Sequence, residues 1–303
     1  MIIKVLGSAA GGGFPQINCQ CRNCAAIRAG DGGFSVRTQV SLAVSANQRT
    51  WVLINASPDL RQQIGNTPEL APGPNQGVRG SPIVSVVLTG GEVDHVAGLL
   101  SLREGLCFTL FAPAPVLAIL AANGIFDVLS KACVRRTPLP LHAPTEIATG
   151  LLVEAFPVPG KSPLYLADEG GRRADMDGTT VGLKINEAAT GAAFCFVPGC
   201  AAIDAALAAR LRGVALLLFD GTLFTDEEMI TQGLSEKTGG RMGHVSIHGP
   251  RGSMAACADL GIKRRVYVHI NNSNPVLDAG SPERAAVERA GWEVGFDGME
   301  FHL

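Results

Sequence analysis

Short apolar segments rich in β-branched residues recur along the whole sequence, and they constrain the fold more than any other feature. Several are continuous apolar runs, which are typical of strands covered on both faces. They are Ile2–Leu6, Val40–Ser45, Trp51–Ile54, Ile83–Leu88, Leu151–Phe156, Val181–Ile185, Ala193–Val197, Val214–Phe219 and Val266–His269. Helix-like stretches lie between them, at Pro58–Ile64, His95–Glu104, Pro115–Ala122, Ala202–Leu211, Asp226–Gln232, Gly252–Leu260 and Pro282–Ala290. Asp226 and Ser281 stand where N-caps belong, and Pro282 suits a first helical position. Strands followed by mixed strands and helices occur twice, which predicts two sheets packed face to face with helices outside. A doubly wound parallel sheet is the alternative.

The composition suits one domain over residues 1–303 with a large core. Apolar residues make up 47% of the chain and charged residues 17%, which argues against disorder. The formal net charge is −2 and no basic block is present, so we expect no nucleic-acid partner. No apolar run approaches the ~18 residues that span a bilayer, and Met1–Leu6 lacks the features of a signal peptide. We therefore expect a cytoplasmic protein without a membrane partner.

Three cysteines cluster within six residues, at Cys19, Cys21 and Cys24. Thiolates suit a tetrahedral zinc ion, and a chain of this length without a signal peptide more often uses clustered cysteines for metal than for disulfides. The cluster therefore predicts a structural zinc site whose fourth ligand comes from elsewhere in the chain. The other cysteines are expected to be buried for packing; they are Cys107, Cys133, Cys195, Cys200 and Cys257.

Two kinds of loop are also indicated. The glycine-rich segment Leu6–Pro15 follows the first strand, but its spacing is not that of a dinucleotide-binding loop. We expect a tight turn that lines the active cleft. The segments Thr67–Pro82 and Asp168–Gly178 are predicted to be surface loops because they are rich in glycine together with proline or charge.

Three apolar strands end in residues of the type that ligate metals. Asp94 and His95 follow one strand, Asp220 ends a second and His269 ends a third. Since ligands bind at the carboxyl ends of strands in open α/β architectures, we expect these four side chains to surround one ion. Two histidines and a carboxylate with open positions are the pattern of non-haem iron sites.

The remaining histidines are weaker candidates. His244 and His248 follow a glycine-rich segment, and they either reach the cleft as proton-transfer or substrate groups or lie on a surface loop. His142 lies in a proline-rich connection and His302 is penultimate, and we expect no functional role for either.

The segment Thr89–Leu99 resembles the metallo-β-lactamase signature T-H-x-H-x-D-H-x-x-G-L. Asp94 and His95 keep the second half of the signature, whereas Gly90 and Glu92 replace its two leading histidines. A hydrolase of this fold needs a full ligand set to hold two ions. The missing histidines therefore favour one metal with open positions over efficient two-metal hydrolysis.

Taken whole, the chain is similar to the coenzyme PQQ (pyrroloquinoline quinone) biosynthesis protein B family of the metallo-β-lactamase superfamily. The matching stretches are Gly11–Cys24, Asn55–Ile64, Thr89–Glu104, Arg241–His244 and His269–Pro275. The resemblance implies a four-layer αββα sandwich. The chain also resembles phosphodiesterases of the fold that carry a C-x-C-x-x-C zinc site, which implies Asn272 as the fourth zinc ligand, with His269 or a water as alternatives.

The resemblance also implies an activity, namely iron-dependent hydroxylation of the tyrosine ring in a glutamate–tyrosine intermediate cut from a small precursor peptide, with O₂ as co-substrate. Fe²⁺ would be held by the four strand-end residues, and Mn²⁺, Mg²⁺ or Zn²⁺ would suit the same site. Glu92 would be a ligand or a base, His244 a proton-transfer group, and Arg241 a binding group for a substrate carboxylate. Two alternatives remain open: a single-metal hydrolase, and a non-catalytic carrier of the quinone or its precursor.

Overall fold

Two seven-stranded mixed sheets form the centre of the computed structural model, which describes residues 1–74, 76, 78–161, 163–166 and 178–303. The first sheet consists of β1 (Ile2–Gly7), β2 (Ser41–Ser45), β3 (Trp51–Ile54), β4 (Ile83–Val87), β5 (Phe108–Ala112), β6 (Val134–Pro138) and β14 (Glu300–His302). Its strands lie in the order β14-β1-β2-β3-β4-β5-β6. The pairs from β14 to β3 are antiparallel and those from β3 to β6 are parallel.

The second sheet repeats this arrangement. It consists of β7 (Pro144–Ala148), β8 (Leu151–Pro157), β9 (Val181–Glu187), β10 (Ala193–Val197), β11 (Leu216–Asp220), β12 (Arg264–Val268) and β13 (Trp292–Val294). Its order is β13-β12-β11-β10-β9-β8-β7. The pairs from β7 to β10 are antiparallel and those from β10 to β13 are parallel. The repeated order of strands and helices in the sequence therefore corresponds to two similar sheets, and the doubly wound alternative is wrong.

Helices cover the outer faces of both sheets. The α-helices are α1 (Arg22–Arg28), α2 (Leu60–Gly65), α3 (Val93–Val96), α4 (Ala114–Ala122), α5 (Ala205–Leu211), α6 (Glu228–Thr231), α7 (Gly239–Met242), α8 (Ser253–Ala256) and α9 (Pro282–Arg289). Short 3₁₀ helices span Pro68–Leu70, Ala97–Leu102, Gly124–Val128, Leu164–Leu166 and Pro275–Leu277. Among the described residues no helix combines the length and the apolar character that crossing a membrane requires.

Three apolar clusters separate four layers. One lies between the sheets and contains Val5 of the first and Leu183 of the second. Another joins α5 and α9 to the outer face of the second sheet, around Trp292. The third joins α2 and α4 to the outer face of the first sheet, around Trp51. Both indoles are buried, and that of Trp292 stacks on the ring of Tyr267 with centroids 4.1 Å apart. The αββα sandwich is confirmed.

The predicted helix starts are partly correct. Ser281 caps α9, since its hydroxyl accepts the backbone N–H of Arg284, and Pro282 takes the first helical position. The prediction that Asp226 caps the following helix is wrong, because α6 begins later, after Glu227. The Asp226 carboxylate instead accepts the N–H of Gly240 at 2.7 Å, at the start of α7.

The prediction that the five scattered cysteines are buried is correct for three of them. Cys195, Cys200 and Cys257 are buried, as predicted. The prediction is wrong for Cys107, which is exposed, and for Cys133, which is half-buried. Both precede strands of the first sheet at the surface. Of the predicted loops, Thr67–Pro82 contains the 3₁₀ turn Pro68–Leu70 among its described residues, and residues 168–177 lie outside the described residues.

Candidate metal centres

A cavity of about 440 Å³ opens where β4, β11 and β12 end. Its lining includes the residues that follow β4 (Asp94 and His95) and the one that follows β12 (His269). Ala10 and Gly11 of the glycine-rich segment also line it. A side chain at position 11 would begin 3.7 Å from the Asp94 carboxyl group. The prediction that this turn lines the cleft is confirmed.

The first group of converging side chains is Asp94, His95 and His269. Oδ2 of Asp94 lies 3.0 Å from Nε2 of His269 and 3.8 Å from Nε2 of His95. Burial would raise the pKa of Asp94, but the neighbouring imidazoles hold it well below its ordinary value. Burial lowers the pKa of His95 despite the attraction of Asp94, which favours the neutral, metal-binding form.

The pKa of His269 shifts in the opposite direction to that of His95. Burial would lower its pKa, but the hydrogen bond and charge of Asp94, together with the charge of Asp220, raise it. Because the Asp94 carboxylate lies 3.0 Å from Nε2 of His269, a positive charge between these two atoms would stabilise the pair. Either a proton on Nε2 or a bound metal ion would supply this charge. The donor chemistry of this group fits a cation.

The second group is Asp220, His244 and His269. Nδ1 of His244 lies 2.7 Å from Oδ2 of the fully buried Asp220, which also accepts the N–H of Cys200 at 2.9 Å. The rings of His244 and His269 stack with centroids 5.2 Å apart. Nδ1 of His269 lies 3.9 Å from Oδ1 of Asp220. The structure thus places His244 in the cleft and not on a remote surface loop.

His269 is common to both groups and faces them with different nitrogens. Nε2 faces Asp94, whereas Nδ1 faces the side of Asp220. The four residues predicted to hold one ion therefore share a cleft, but their ligand atoms form two groups of three once His244 is included. That they bind metal stays a prediction.

Thr222, which the sequence analysis missed, connects these side chains. Its hydroxyl lies 2.6 Å from Oδ1 of Asp220, 2.8 Å from Nδ1 of His269 and 3.1 Å from Nδ1 of His244. When the hydroxyl donates to Asp220, its oxygen accepts a hydrogen bond from the Nδ1–H group of His269, which leaves the lone pair of Nε2 for a metal. The only signal in the sequence is the position of Thr222, two residues after the strand-end Asp220.

The two replacements in the signature have different surroundings. A Cβ at Gly90 would lie 3.0 Å from Nδ1 of His95 and 3.3 Å from the carbonyl oxygen of Thr179, so a histidine at position 90 would force its neighbours to move. Glu92 lines the cavity but belongs to neither group of converging ligand atoms among the described residues. Its role as ligand or base stays a prediction.

Two residues near the cleft adopt a left-handed backbone that only glycine, asparagine and aspartate visit readily. They are Asn55, with φ of 61°, and His269, with φ of 55°. The amide of Asn55 bonds to the hydroxyl and the N–H of Thr89, both at 2.9 Å, and so fixes the start of the signature segment. The hydroxyl of Thr222 lies 3.0 Å from the carbonyl oxygen of His269. Asn55 adopts this conformation readily, whereas His269 is strained there, and backbone strain is characteristic of functional sites.

The cysteine cluster forms a separate site beside the same loop. The amide nitrogen of Asn272 lies 3.1, 3.4 and 3.3 Å from the sulfurs of Cys19, Cys21 and Cys24. A half-turn of this amide would bring its oxygen, the atom able to ligate a metal, to the same place. The structure therefore brings together the four predicted zinc ligands.

The thiols of this site differ in acidity. Burial would raise the pKa of Cys19, but the N–H of Cys21 and further hydrogen bonds lower it. Burial and the two neighbouring thiols raise the pKa of Cys21 to about 11. Without a cation, three close thiols cannot all ionise. A zinc ion would stabilise the fully ionised set.

One short loop carries residues of both sites, because His269 and Asn272 are three positions apart. The amide of Asn23 in α1 donates to the carbonyl oxygens of Asn272 at 3.0 Å and Asn274 at 2.9 Å. The N–H of Asn271 donates to the carbonyl oxygen of Thr222 at 3.1 Å. The cysteine segment and the Thr222 segment thus hold this loop from its two sides.

The other predicted residues lie as follows. Arg241 is exposed and lines the cavity, together with Lys161 and Lys237. His142 and His302 lie outside the cavity lining; the former contacts Arg210 and the latter Glu300.

Comparison with known proteins extends over the whole chain. Residues 50–270 match the family described as the beta-lactamase superfamily domain. The chain is 51% identical to coenzyme PQQ synthesis protein B of Gluconacetobacter diazotrophicus, with 97% of each covered. It is 50% identical to the protein of the same name from Bradyrhizobium diazoefficiens, with 99% of each covered.

Solved structures agree with these matches. The chain is similar to Zn²⁺-bound PqqB from Methylobacterium extorquens, with a TM-score of 0.96, 48% identity and 100% of both chains covered. It is also similar to a diphosphatase from the PhnP family, with a TM-score of 0.70, 19% identity and 100% and 97% of the two chains covered. The second likeness concerns the fold alone.

Proposed function

The chain belongs to the coenzyme PQQ synthesis protein B family within the beta-lactamase superfamily, and on that premise we propose that it is an iron-dependent hydroxylase of PQQ biosynthesis. Its substrate would be the tyrosine ring of a glutamate–tyrosine intermediate derived from a precursor peptide. The observation that carries this proposal is the group Asp94, His95 and His269 at the wall of a cavity. It contains the two histidines and one carboxylate typical of non-haem iron sites.

The donor set fits Fe²⁺ in the first group and Zn²⁺ in the cysteine site. Imidazole and carboxylate ligands suit Fe²⁺, whereas thiolates suit Zn²⁺. Iron bound in the first group would supply the activation of O₂. The replacement of the leading histidines by Gly90 and Glu92 supports this assignment, because paired-metal hydrolysis depends on more ligands.

Hydroxylation has a fixed stoichiometry. One oxygen atom of O₂ enters an aromatic C–H bond and the other leaves as water, which consumes two electrons and two protons. The electrons must come from a reductant, and an added reductant such as ascorbate would supply them in an assay.

The residues of the chain would bind and orient the reactants. Asp220 and Thr222 fix the ring of His269 through Nδ1, as partners of metal-bound histidines do. His244, paired with Asp220, would transfer a proton at its Nε2. Arg241 would hold a substrate carboxylate at the cavity.

The proposal is tested by anaerobic reconstitution with Fe²⁺, followed by ascorbate, O₂ and a synthetic glutamate–tyrosine conjugate. We expect oxygen uptake and a catechol product in equal amounts, with one ¹⁸O atom from labelled O₂. The absence of both would contradict the hydroxylase. Turnover with Zn²⁺ in the absence of O₂ would favour the hydrolase instead, and binding without turnover would favour the carrier.

Replacing Thr222 with valine is expected to lower the affinity of the cavity for its metal by about 10- to 100-fold, the usual cost of losing a partner of a metal-bound histidine. Valine keeps the shape but removes the hydroxyl that contacts Asp220 and His269. Competition with a chelator measures the affinity, and Thr222→Ser should restore it. An unchanged affinity in Thr222→Val would show that the hydroxyl does not orient the ligand.

Replacing Arg241 with glutamine is expected to raise KM for the conjugate by roughly 10- to 100-fold with little change in kcat, since a hydrogen bond to a charged group is worth about 1.5–3 kcal/mol. Steady-state oxygen uptake gives both constants. Arg251→Gln is the matched control, because Arg251 is also exposed but is outside the cavity lining. Equal KM values in the two variants would remove Arg241 from the substrate site.

A further inference from the structure

Two cysteines outside the metal centres stand at the starts of neighbouring strands. Cys107 directly precedes β5 and Cys133 directly precedes β6. The strands are parallel, with Phe108 opposite Val134, and the N–H of Phe108 donates to the carbonyl oxygen of Cys133 at 3.2 Å. The two cysteines therefore occupy adjacent positions one residue before this register.

This register matches the requirements of a disulfide bond. Neighbouring strands lie about 4.8 Å apart, and disulfide-linked Cα atoms are usually about 4.4–6.8 Å apart. Both thiols lie 3.9 Å from the same acceptor, the carbonyl oxygen of Gly105. A hydrogen bond between the thiols also raises the pKa of Cys107. The two sulfur atoms thus lie beside one carbonyl oxygen.

The side chains of Cys107 and Cys133 are more accessible to solvent than those of the other cysteines outside the predicted zinc cluster. Cys107 is exposed and Cys133 half-buried, whereas Cys195, Cys200 and Cys257 are buried. Outside the predicted zinc cluster, a reagent in solution would therefore reach this pair first.

Cys107 and Cys133 lie at the opposite end of their strands from the cavity. The pair lies at the amino ends of β5 and β6, whereas the metal-centre residues follow the carboxyl end of β4, which runs parallel to both strands. Chemistry at this pair would therefore leave the metal centres in place.

We propose that Cys107 and Cys133 form a thiol–disulfide exchange site that reacts with small-molecule disulfides such as oxidised glutathione. The thiolate of Cys107 attacks one sulfur of the reagent, forms a mixed disulfide and releases one glutathione thiolate, which takes up the proton that Cys107 lost. The thiolate of Cys133 then attacks the sulfur of Cys107, closes the protein disulfide and releases the second glutathione. Two protein thiols are oxidised by two electrons, and one glutathione disulfide is reduced to two thiols.

The product would link β6, the edge strand of the first sheet, to β5. The closed loop contains α4 and the 3₁₀ helix Gly124–Val128. Since a disulfide constrains the unfolded chain, the oxidised protein should unfold at a higher temperature than the reduced protein while its metal content stays the same. The proposal is independent of the function proposed above.

The test uses the full-length, zinc-loaded protein with oxidised glutathione in mildly alkaline buffer. Intact mass should fall by two hydrogen atoms, and peptide mapping should join Cys107 to Cys133 without release of zinc. Cys133→Ser should instead retain one glutathione on Cys107, and Cys107→Ser should form no internal link. Cys257→Ala, which removes a buried thiol, should behave as wild type.

Three results would overturn the proposal. The first is glutathione retained on Cys107 of the wild-type protein, because Cys133 would then fail to reach the mixed disulfide. The second is a link that involves Cys19, Cys21 or Cys24 with loss of zinc. The third is an unmodified protein under conditions in which a thiol reagent labels Cys107.

Discussion

Replacing Cys21 with serine is expected to reduce zinc from about one ion per chain to nearly none and to lower the free energy of unfolding by more than about 4 kcal/mol, as loss of a structural metal does. Two thiolates and an amide would remain, which is too little negative charge and too few soft ligands for a closed zinc site. The large apolar clusters should keep the chain folded, so the loss should appear as reduced stability.

The same substitution should also weaken the metal site in the cavity, although Cys21 lies outside the cavity lining. His269 and Asn272 share one loop, and the segment of Cys19 to Cys24 holds that loop through Asn23 and Asn272. Once zinc is lost, the left-handed backbone of His269 loses part of the packing that maintains it.

Three measurements check this result: metal analysis, denaturant unfolding at fixed free zinc, and hydrogen exchange of residues 269–274. Cys107→Ser is the matched control, because it makes the same chemical change outside the cluster and should keep the zinc. Wild-type zinc content in Cys21→Ser would contradict the site assignment. Loss of zinc with unchanged exchange and unchanged iron affinity would contradict only the connection between the two sites.

Replacing His269 with alanine is expected to remove the cavity metal and to reduce turnover by more than about a hundredfold, beyond the cost of losing an outer partner of a metal ligand. His269 belongs to both groups of converging side chains. Its removal also leaves the carboxylates of Asp94 and Asp220 with less compensating positive charge in a buried setting.

Alanine at position 269 would also strain the backbone, because φ there is 55°. His269→Asn separates the two effects, since asparagine adopts the left-handed conformation readily but does not replace an imidazole. Both variants should lose iron, and both should keep the zinc of the cysteine site. His302→Ala, a change to an exposed histidine outside the cavity, should leave both metals and the activity unchanged. Activity within tenfold of wild type in either His269 variant would exclude His269 as an essential ligand.

Much of the site could be predicted because its residues follow apolar strands. Asp94, Asp220 and His269 are recognisable from strand ends alone. The parallel strands β11 and β12 bring Asp220 and His269 to one edge of the second sheet, whereas Asp94 follows β4 of the first sheet. The grouping of ligand atoms could not be predicted in this way. It depends on which ring nitrogen of His269 faces Asp94, and that follows from contacts with Thr222 and the turn of the backbone.

The strands of the fold could also be predicted only in part. The sequence predicts nine strands from their apolar runs, but it misses the interior strand β5 and the four edge strands β6, β7, β13 and β14. Among the edge strands, β6 and β7 contain arginine, glutamate and proline at exposed positions, so neither gives the pattern of a covered strand. The cap at Asp226 was misassigned because its partner is the N–H of Gly240, which is distant in sequence.

The placement of the two tryptophans gives each half of the sandwich its own intrinsic fluorophore. Trp51 is buried on the outer face of the first sheet and Trp292 on that of the second, and the sequence contains no other tryptophan. Trp292 stacks on Tyr267, two residues before His269. Its emission would therefore report on the layer that carries His269, whereas the emission of Trp51 would report on the layer that carries the cysteine pair.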